Sequence, residues 1–179
     1  RQSPRRQGFQ VAGKFRRVVT KRFAPTKDPL YSQQWHLKNT NATSTNSSNN
    51  LVIDLNINDA WDLSRGSNVV VGIADDGLEL THPDLVANIA SNSLHYNWAG
   101  GATNDPSPQS FFEWHGTALA GLIAAQGDNG QGGIGVAPSA KLAGLRVISA
   151  NTAKDEDLIR MLQWKTDEIA VKNLSFSTS

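Results

Sequence analysis

The sequence has no cysteine and no apolar run close to the roughly 20 residues that a membrane-spanning helix requires. The absence of cysteine excludes disulfide bonds and thiolate metal sites, but it does not decide the cellular compartment. We expect no membrane contact from this part of the protein. The 39% content of hydrophobic residues is ordinary for a folded domain with a core.

Acidic residues are missing from one end of the chain. Residues 1–22 contain eight of the 17 Lys and Arg residues and no Asp or Glu, which leaves nine bases and 16 acids for the remainder. An acidic body attracts basic ligands and repels nucleic acid. No aromatic residues alternate with a folded basic surface, so we expect no nucleic-acid partner. We therefore predict an exposed basic segment at residues 1–22, followed by one folded region at residues 23–179.

The order of apolar patterns in residues 23–179 predicts an α/β fold. Continuous runs of apolar and β-branched residues are typical of buried parallel strands. Strand and helix patterns alternate, which predicts a parallel sheet with right-handed crossovers. The predicted strands are 69–74, 141–148 and 173–177, and the predicted helices are 58–63, 117–125 and 152–172, the last with a capping box formed by Thr152 and Asp155.

Two chemically active side chains follow from this arrangement. Asp75 ends the first predicted strand, and active groups of parallel sheets collect at the carboxyl ends of strands. His115 stands at or just before the start of a helix rich in small residues. An Asp-Gly turn and a lone His each have ordinary structural explanations. Together they indicate a carboxylate that orients an imidazole base.

The segments around these residues resemble a known family. VVGIADDGLE (70–79) with HPDL (82–85), HGTALAG (115–121), GVAP (135–138), and DPL (28–30) with QWHL (34–37) occur in the order and spacing of the subtilases, a family of serine proteases. The doubled aspartate is typical of the kexin/furin branch. The resemblance implies a subtilisin-like parallel sheet flanked by helices, with residues 23–179 forming the N-terminal portion of the catalytic domain, truncated before its last strands and helices.

The resemblance also implies roles for individual residues. Asp75 would be the carboxylate of the catalytic triad and His115 its general base. The nucleophilic serine and the asparagine of the oxyanion hole would follow Ser179, so we expect this chain alone to be inactive. Four residues, Leu174, Ser175, Phe176 and Ser177, would form the strand with which an extended substrate pairs.

Substrate preference follows from two further acidic residues. By resemblance, Asp76 faces the substrate side chain just before the cleavage site, where a carboxylate selects Lys or Arg. Glu113 lies near the place where kexin-like enzymes carry a second acid, although the spacing is not identical. The expected partners are polypeptides with basic residues, and one is the chain's own pro-segment at residues 1–22. Self-cleavage would follow Lys21 and Arg22, with Arg16-Arg17 as a rival site, in an extracytoplasmic compartment.

A calcium site is the expected metal centre. Calcium binds oxygen ligands, and the glycine-rich loop QGDNGQGG (126–133) can turn its carbonyl groups inward. The resemblance implies side-chain ligands from Asp28, Asp84 and Asn129, and carbonyl ligands from Gln126, Gln131 and Gly133. A plain surface loop is the alternative.

The alternative interpretations are a nucleotide site, a non-catalytic module and a different cleavage specificity. The segment 130–135 resembles a dinucleotide fingerprint, but it follows a helix and not a strand, which argues against that motif. A non-catalytic, calcium-binding subtilase-like module stays open, although such a module would not need both Asp75 and His115. A subtilisin that cleaves after hydrophobic residues also stays open, although Asp76 favours basic ones.

Overall fold

The computed structural model describes residues 27–39, 45–46, 51–52 and 54–177. The basic segment 1–22, with the predicted cleavage site at Lys21 and Arg22, lies outside the described residues. Among the described residues, the elements in chain order are β1 Thr45–Asn46, β2 Leu51–Val52, α1 Ile57–Trp61, β3 Val70–Asp75, β4 Tyr96–Asn97, α2 His115–Ala124, β5 Lys141–Arg146, α3 Asp155–Gln163 and β6 Val171–Leu174. Short 3₁₀ turns cover Tyr31–Gln33, Val86–Asn88 and Asn92–Leu94.

A parallel sheet forms the centre of the described structure. Its four strands lie in the order β4-β5-β3-β6, and every neighbouring pair is parallel. β1 and β2 form a separate antiparallel pair. In the register of β3 and β5, Asp75 lies opposite Arg146, and in that of β3 and β6, Ala74 lies opposite Leu174. The sheet confirms the predicted α/β class.

Helices cover both faces of this sheet. Successive strand residues point to opposite faces, so Val71 and Ile73 pack in one core cluster with Ala120 and Ala124 of α2. Ala143 and Leu145 point the other way and pack with Met161 of α3. Small residues on α2 allow its backbone to approach the sheet closely. None of the helices in the described residues has both the length and the apolar content that crossing a bilayer requires.

The third helix is shorter than the sequence pattern predicts. It ends at Gln163 and not at 172, because Trp164 is extended and Lys165 has a positive φ of 47°. The Trp164 indole donates a hydrogen bond to the Leu94 carbonyl, which holds the chain away from the helical path. β6 therefore begins at Val171 and ends at Leu174, earlier than predicted.

The predicted capping box of α3 is absent. Lys154 occupies the cap position, and it makes no capping hydrogen bond through its side chain. The Thr152 hydroxyl instead donates to the Ser149 carbonyl within a tight turn. The predicted starts of the other two helices shift by one or two residues, to Ile57 for α1 and to His115 for α2.

Candidate active site

The end of β3 and the start of α2 bring Asp75 and His115 together. His115 Nδ1 lies 2.9 Å from Asp75 Oδ1. The Asp75 side chain is 1% exposed, whereas that of His115 is 47% exposed. Because a carboxylate only accepts hydrogen bonds, Nδ1 carries the proton and Nε2 is left with a free lone pair. The pair can therefore act as an oriented base at the surface.

The position of His115 depends on the neighbouring carboxylate. Asp76 accepts hydrogen bonds from the backbone N–H of His115 at 3.1 Å and of Gly116 at 2.8 Å, which are the first two residues of α2. Helix N-termini favour negative charge and oxygen acceptors. Asp76 thus supports the start of the helix as well as facing the site. The sequence prediction included only the second role.

Glycine at position 116 is required by close packing. A Cβ there would collide with the Gly77 carbonyl oxygen and would lie 2.8 Å from Asp75 Cβ. The backbone of α2 thereby rests directly on the turn that follows β3. This contact brings His115 within hydrogen-bond distance of Asp75.

Burial raises the pKa of Asp76 above its ordinary value of 3.8, and the adjacent charge of Asp75 acts in the same direction. The hydrogen bonds from Gly116 and His115 oppose this rise without cancelling it. The ionised form of Asp76 is therefore less favourable than that of a carboxylate in water. A cationic group placed beside it would restore the preference for the charged form.

A cleft of about 530 Å³ opens beside the pair. Its lining includes Asp75, Asp76 and His115 on one side, and Phe176 and Ser177 beyond the end of β6 on the other. Asp155, from the first turn of α3, is a third carboxylate in this lining. Asp155 was not among the predicted site residues, although the sequence contains an acidic run at 155–157. Leu174 and Ser175 are exposed next to the cleft and are not part of its lining.

Under the Asp75–Asp76 turn lies a fully buried arginine. Arg146 donates from Nε to the Asp76 carbonyl at 2.8 Å and from Nη1 to Asn97 Oδ1 at 3.2 Å. Its Nη2 bonds Glu113 Oε1 at 2.7 Å. The guanidinium therefore joins β4, β5, the β3 turn and the loop before His115. In the sequence, the signal for this role was a charged residue between the apolar Leu145 and Val147 of a predicted strand.

Glu113 has protein partners for both of its oxygens. Besides Arg146, it accepts a hydrogen bond from the backbone N–H of Gln109 at 2.6 Å. A direct contact between Glu113 and a substrate therefore stays a prediction. In this structure the residue anchors the loop that leads to His115.

The residues predicted to bind calcium lie either within the loop 126–133 or against it. Asp28 and Asp84 are each 5% exposed. Asp28 accepts hydrogen bonds from the backbone N–H groups of Asp128, Asn129 and Gly130. Asp84 accepts from the Asn129 side-chain amide at 2.8 Å and from the Gly133 N–H at 3.1 Å.

This donor set suits a hard cation, because it consists of two buried carboxylates and one amide on a glycine-rich loop. No Lys or Arg side chain in the described residues forms an ion pair with Asp28 or Asp84. The described part of the chain holds no cluster of three or more His, Asp or Glu side chains that could bind a metal. Any cation here would therefore need carbonyl oxygens, such as those predicted for Gln126, Gln131 and Gly133.

A carboxylate–imidazole pair at the carboxyl end of a central strand of a parallel α/β sheet can act as an oriented base that activates a nucleophile. The profile of the Subtilase family (Peptidase_S8) matches residues 66–179, and the chain belongs to this family.

The relatives of the chain agree with this assignment. It is 38% identical over 127 residues to Neuroendocrine convertase 2 from Sus scrofa, covering 68% of this chain and 19% of the convertase. It is 42% identical over 127 residues to the Dibasic-processing endoprotease from Schizosaccharomyces pombe, covering 69% of this chain and 16% of the endoprotease. The chain thus spans less than a fifth of these relatives, and the predicted resemblance to the kexin/furin branch is confirmed.

Solved structures show the same fold. The serine protease of Aeromonas sobria in complex with its chaperone superposes with a TM-score of 0.73 at 30% identity, over 95% of this chain and 29% of that chain. A protease from Pseudoalteromonas arctica gives a TM-score of 0.69 at 27% identity, over 87% of this chain and 53% of that chain. The predicted subtilisin-like fold is therefore confirmed.

The Arg146–Glu113 pair should be a large contributor to stability. Replacing Arg146 by Met leaves Glu113 and the Asp76 carbonyl without their partner, so we expect the free energy of unfolding to fall by about 3–5 kcal/mol. Urea unfolding would measure the change. The control is Arg160→Met, since Arg160 is 62% exposed, its ion pair with Glu156 lies on the surface, and its contact with the less exposed Asp157 is 3.5 Å long. The free energy of unfolding of this variant should fall by less than about 1 kcal/mol. Equal losses in both variants would contradict this role of Arg146.

Proposed function

We propose that this chain carries the aspartate and histidine of a serine endopeptidase of the subtilisin/kexin type, which processes polypeptides after basic or dibasic residues. The observation that carries the proposal is the 2.9 Å contact between Asp75 and His115. Membership of the Subtilase family and similarity to a convertase and to a dibasic-processing endoprotease support it.

In the proposed reaction, His115 Nε2 accepts the proton of a serine hydroxyl as the serine oxygen attacks the peptide carbonyl. Asp75 holds the imidazole in the required tautomer and stabilises the imidazolium. His115 then returns the proton to the leaving amine. The sequence of this chain has no Gly-Thr-Ser segment, so the nucleophile and the oxyanion asparagine would come from other parts of the protein. This chain alone is expected to hydrolyse nothing.

The preference for basic residues is supported by the charge of the cleft. Three carboxylates, from Asp75, Asp76 and Asp155, line the same space as His115. Asp76 already accepts two backbone hydrogen bonds, but its oxygens retain further lone pairs for a Lys or Arg side chain. An incoming cation would offset the unfavourable ionisation of Asp76. Substrate binding and the ionisation of Asp76 would then favour each other.

The basic leader fits the same specificity. Self-cleavage after Lys21 and Arg22 would release residues 1–22 and begin the mature chain at Phe23. The pro-segment would thus be the first substrate of the acidic cleft. An extracytoplasmic location, which the family resemblance implies, is part of this proposal.

We also propose that the loop 126–133 binds calcium. Asp28, Asp84 and Asn129 would be side-chain ligands, with the carbonyl groups of Gln126, Gln131 and Gly133. Asn129 would have to turn its amide to bind a cation, because its nitrogen now donates to Asp84 and its oxygen accepts from the Gln131 N–H. A bound cation would supply the positive charge that the two buried carboxylates lack. It would also fix Asp28, near the start of the folded region, against the loop.

A peptide panel tests the enzymatic proposal on the protein that contains this chain. Peptides ending in Lys-Arg and in Ala-Phe before the scissile bond are compared by kcat/KM. We expect the Lys-Arg peptide to be preferred, and His115→Ala to lower kcat by about 10⁴-fold or more. Asp76→Asn should reduce the preference by about 10- to 100-fold, because it removes a charge-assisted hydrogen bond. Cleavage that persists in His115→Ala would contradict the mechanism, and preference for Ala-Phe would assign a hydrophobic specificity.

The basic preference should also depend on pH. The pKa of Asp76 lies above 3.8, so the carboxylate is charged above that pKa and becomes neutral as the pH falls through it. The ratio of kcat/KM for the Lys-Arg and Ala-Phe peptides should therefore decrease on acidification, with a midpoint above 3.8. Asp76→Asn should flatten the curve; an unchanged curve would refute this role of Asp76.

Calcium should raise the melting temperature of this chain. A ligand at 100 times its Kd stabilises the folded state by about 2.7 kcal/mol when it does not bind the unfolded state. Thermal melts with calcium and with a chelator would measure the shift. Asp84→Asn should abolish it, whereas the control Asp167→Asn, an exposed carboxylate outside the loop, should retain it. A melting temperature that is indifferent to calcium would contradict the site.

A further inference from the structure

A histidine that the proposed mechanism does not use is buried at the edge of the sheet. His95 is 1% exposed and directly precedes β4. Its Nδ1 lies 2.9 Å from the backbone nitrogen of Gly144 in β5, which donates a hydrogen bond to it. The Ala90 backbone forms a second hydrogen bond with the ring. The imidazole therefore joins β5 to the segment that leads into β4.

The contact with Gly144 fixes the protonation state of the ring. A backbone N–H can only donate, so Nδ1 must offer its lone pair and the proton of the neutral imidazole must sit on Nε2. A proton on Nδ1 would point at the Gly144 N–H, because both groups would then be donors. The charged ring would in addition be buried away from water, which is unfavourable. Protonation of His95 is thus incompatible with the hydrogen bond that it makes to β5.

The strand that follows His95 is short. β4 has two residues and lies at one edge of the four-stranded sheet, next to β5. Directly after β4, the Trp98 N–H donates to the Arg146 carbonyl of β5 at 2.9 Å. Two residues earlier on β5, the Gly144 N–H has the His95 ring as its partner. A two-residue edge strand can form only a few ladder hydrogen bonds, so we expect β4 to loosen when the His95 contact is lost.

β4 also carries a contact of the candidate active site. Asn97, the last residue of β4, accepts a hydrogen bond from Arg146 Nη1 at 3.2 Å. Arg146 in turn donates to the Asp76 carbonyl and to Glu113. Movement of β4 would leave the buried guanidinium without one of its partners. The state of His95 is therefore connected to the residues that surround the catalytic pair.

The surroundings of His95 favour the neutral ring. Burial lowers the pKa of His95 below its ordinary value of 6.5, whereas the hydrogen bond with the Ala90 backbone and the charge of Asp105 act in the opposite direction. Asp105 lies on the loop after β4, and the segment 86–94 before His95 has no ionisable residue. The other charged or titratable groups on the surrounding elements have their own partners: Lys141 with the Ala87 carbonyl, Arg146 with Glu113, His115 with Asp75, and Arg160 with Asp157.

We propose that the contact between His95 and Gly144 is a pH-sensitive switch that holds β4 at the edge of the sheet. With the neutral ring, Nδ1 accepts from Gly144 and β4 stays attached to β5. When Nδ1 takes up a proton from solvent, this hydrogen bond breaks, β4 loosens and Asn97 withdraws from Arg146. The proton returns to solvent when the pH rises, so the change is reversible. The switch is a property of the fold and goes beyond the proposed function.

The direction of the pH dependence follows from linkage. Because folding lowers the pKa of His95, the detached state binds more protons than the attached state below pH 6.5. The contribution of the contact to stability is therefore complete above pH 6.5 and is lost as the pH falls from 6.5 towards the lowered pKa. One proton corresponds to a change of about 10-fold in the equilibrium constant for detachment per pH unit.

Amide hydrogen exchange tests the switch in the protein that contains this chain, with His115→Ala to prevent self-digestion. Protection factors, corrected for the intrinsic exchange rate, are measured as the pH is lowered below 6.5. Protection of the Gly144 and Trp98 amides should fall by about 10-fold per pH unit. The internal control is Val147, whose N–H donates to the Asp75 carbonyl on the other side of β5 and should keep its protection.

Substitutions at His95 separate titration from loss of the contact. In His95→Asn the side-chain oxygen can accept from the Gly144 N–H without titrating, so protection should not change over the same pH range. His95→Ala should lower the protection of Gly144 at every pH. The control His36→Asn removes a half-buried histidine of another segment and should keep the pH dependence. Protection of Gly144 that does not change with pH in the parent, or that falls equally in His95→Asn, would overturn the switch.

The His95 ring gives a readout that needs no substitution at this position. Nitrogen chemical shifts of the imidazole should show a proton on Nε2 alone, and this tautomer should persist below pH 6.5. Loss of Gly144 protection should accompany protonation of Nδ1. A ring that is protonated at pH 6.5 while Gly144 stays protected would overturn the proposal. None of these measurements depends on cleavage, so their failure would leave the proposed function unaffected.

Discussion

The candidate site depends on the register between β3 and β5, which places Arg146 opposite Asp75. From that position the guanidinium reaches the Asp76 carbonyl, Asn97 and Glu113. A buried cation needs partners of this kind, and here each partner lies on a different segment that borders the site. One side chain therefore fixes the carboxyl end of the sheet. A shift of one residue in this register would turn Arg146 to the other face of the sheet and separate these segments.

The close approach of α2 to the sheet follows from its small residues. Gly116 contacts the turn after β3, and Ala120 and Ala124 pack in the core beneath. Because no side chain separates helix from turn, the backbone N–H groups of His115 and Gly116 reach the Asp76 carboxylate. Packing and electrostatics thus position the imidazole together.

Much of the fold could be predicted from the sequence, because buried parallel strands appear as continuous apolar runs. Such runs can be recognised without knowing which strands lie beside them. β3 and β5 were predicted within two residues at each end. The end of α3 could not be predicted, since its apolar period continues past Gln163. The chain leaves the helix because Trp164 bonds the Leu94 carbonyl, a residue 70 positions away in sequence. A contact between residues so far apart in the chain leaves no local pattern in the sequence.

The site residues also divide into those that the sequence predicts and those that depend on distant contacts. Asp75 and His115 could be paired from strand ends and helix starts, since topology brings these positions together. The partnership of Glu113 with Arg146 could not be deduced, because each is an isolated charge in its own segment, 33 positions apart. Asp155 was missed for a similar reason: an acidic first turn is ordinary helix chemistry until the opposite wall of the cleft is known.

Under the proposed specificity, Asp76 would link the evolution of substrate preference to the folding of a helix. A lineage that drifted toward neutral substrates would have to discard the negative charge while still providing an oxygen acceptor for two backbone amides. Serine and threonine meet the second condition only in part, since each offers one uncharged oxygen acceptor where Asp76 uses both carboxylate oxygens. Glycine or leucine would satisfy only the first. The number of single-step routes to a new preference is therefore restricted by the geometry of a helix start.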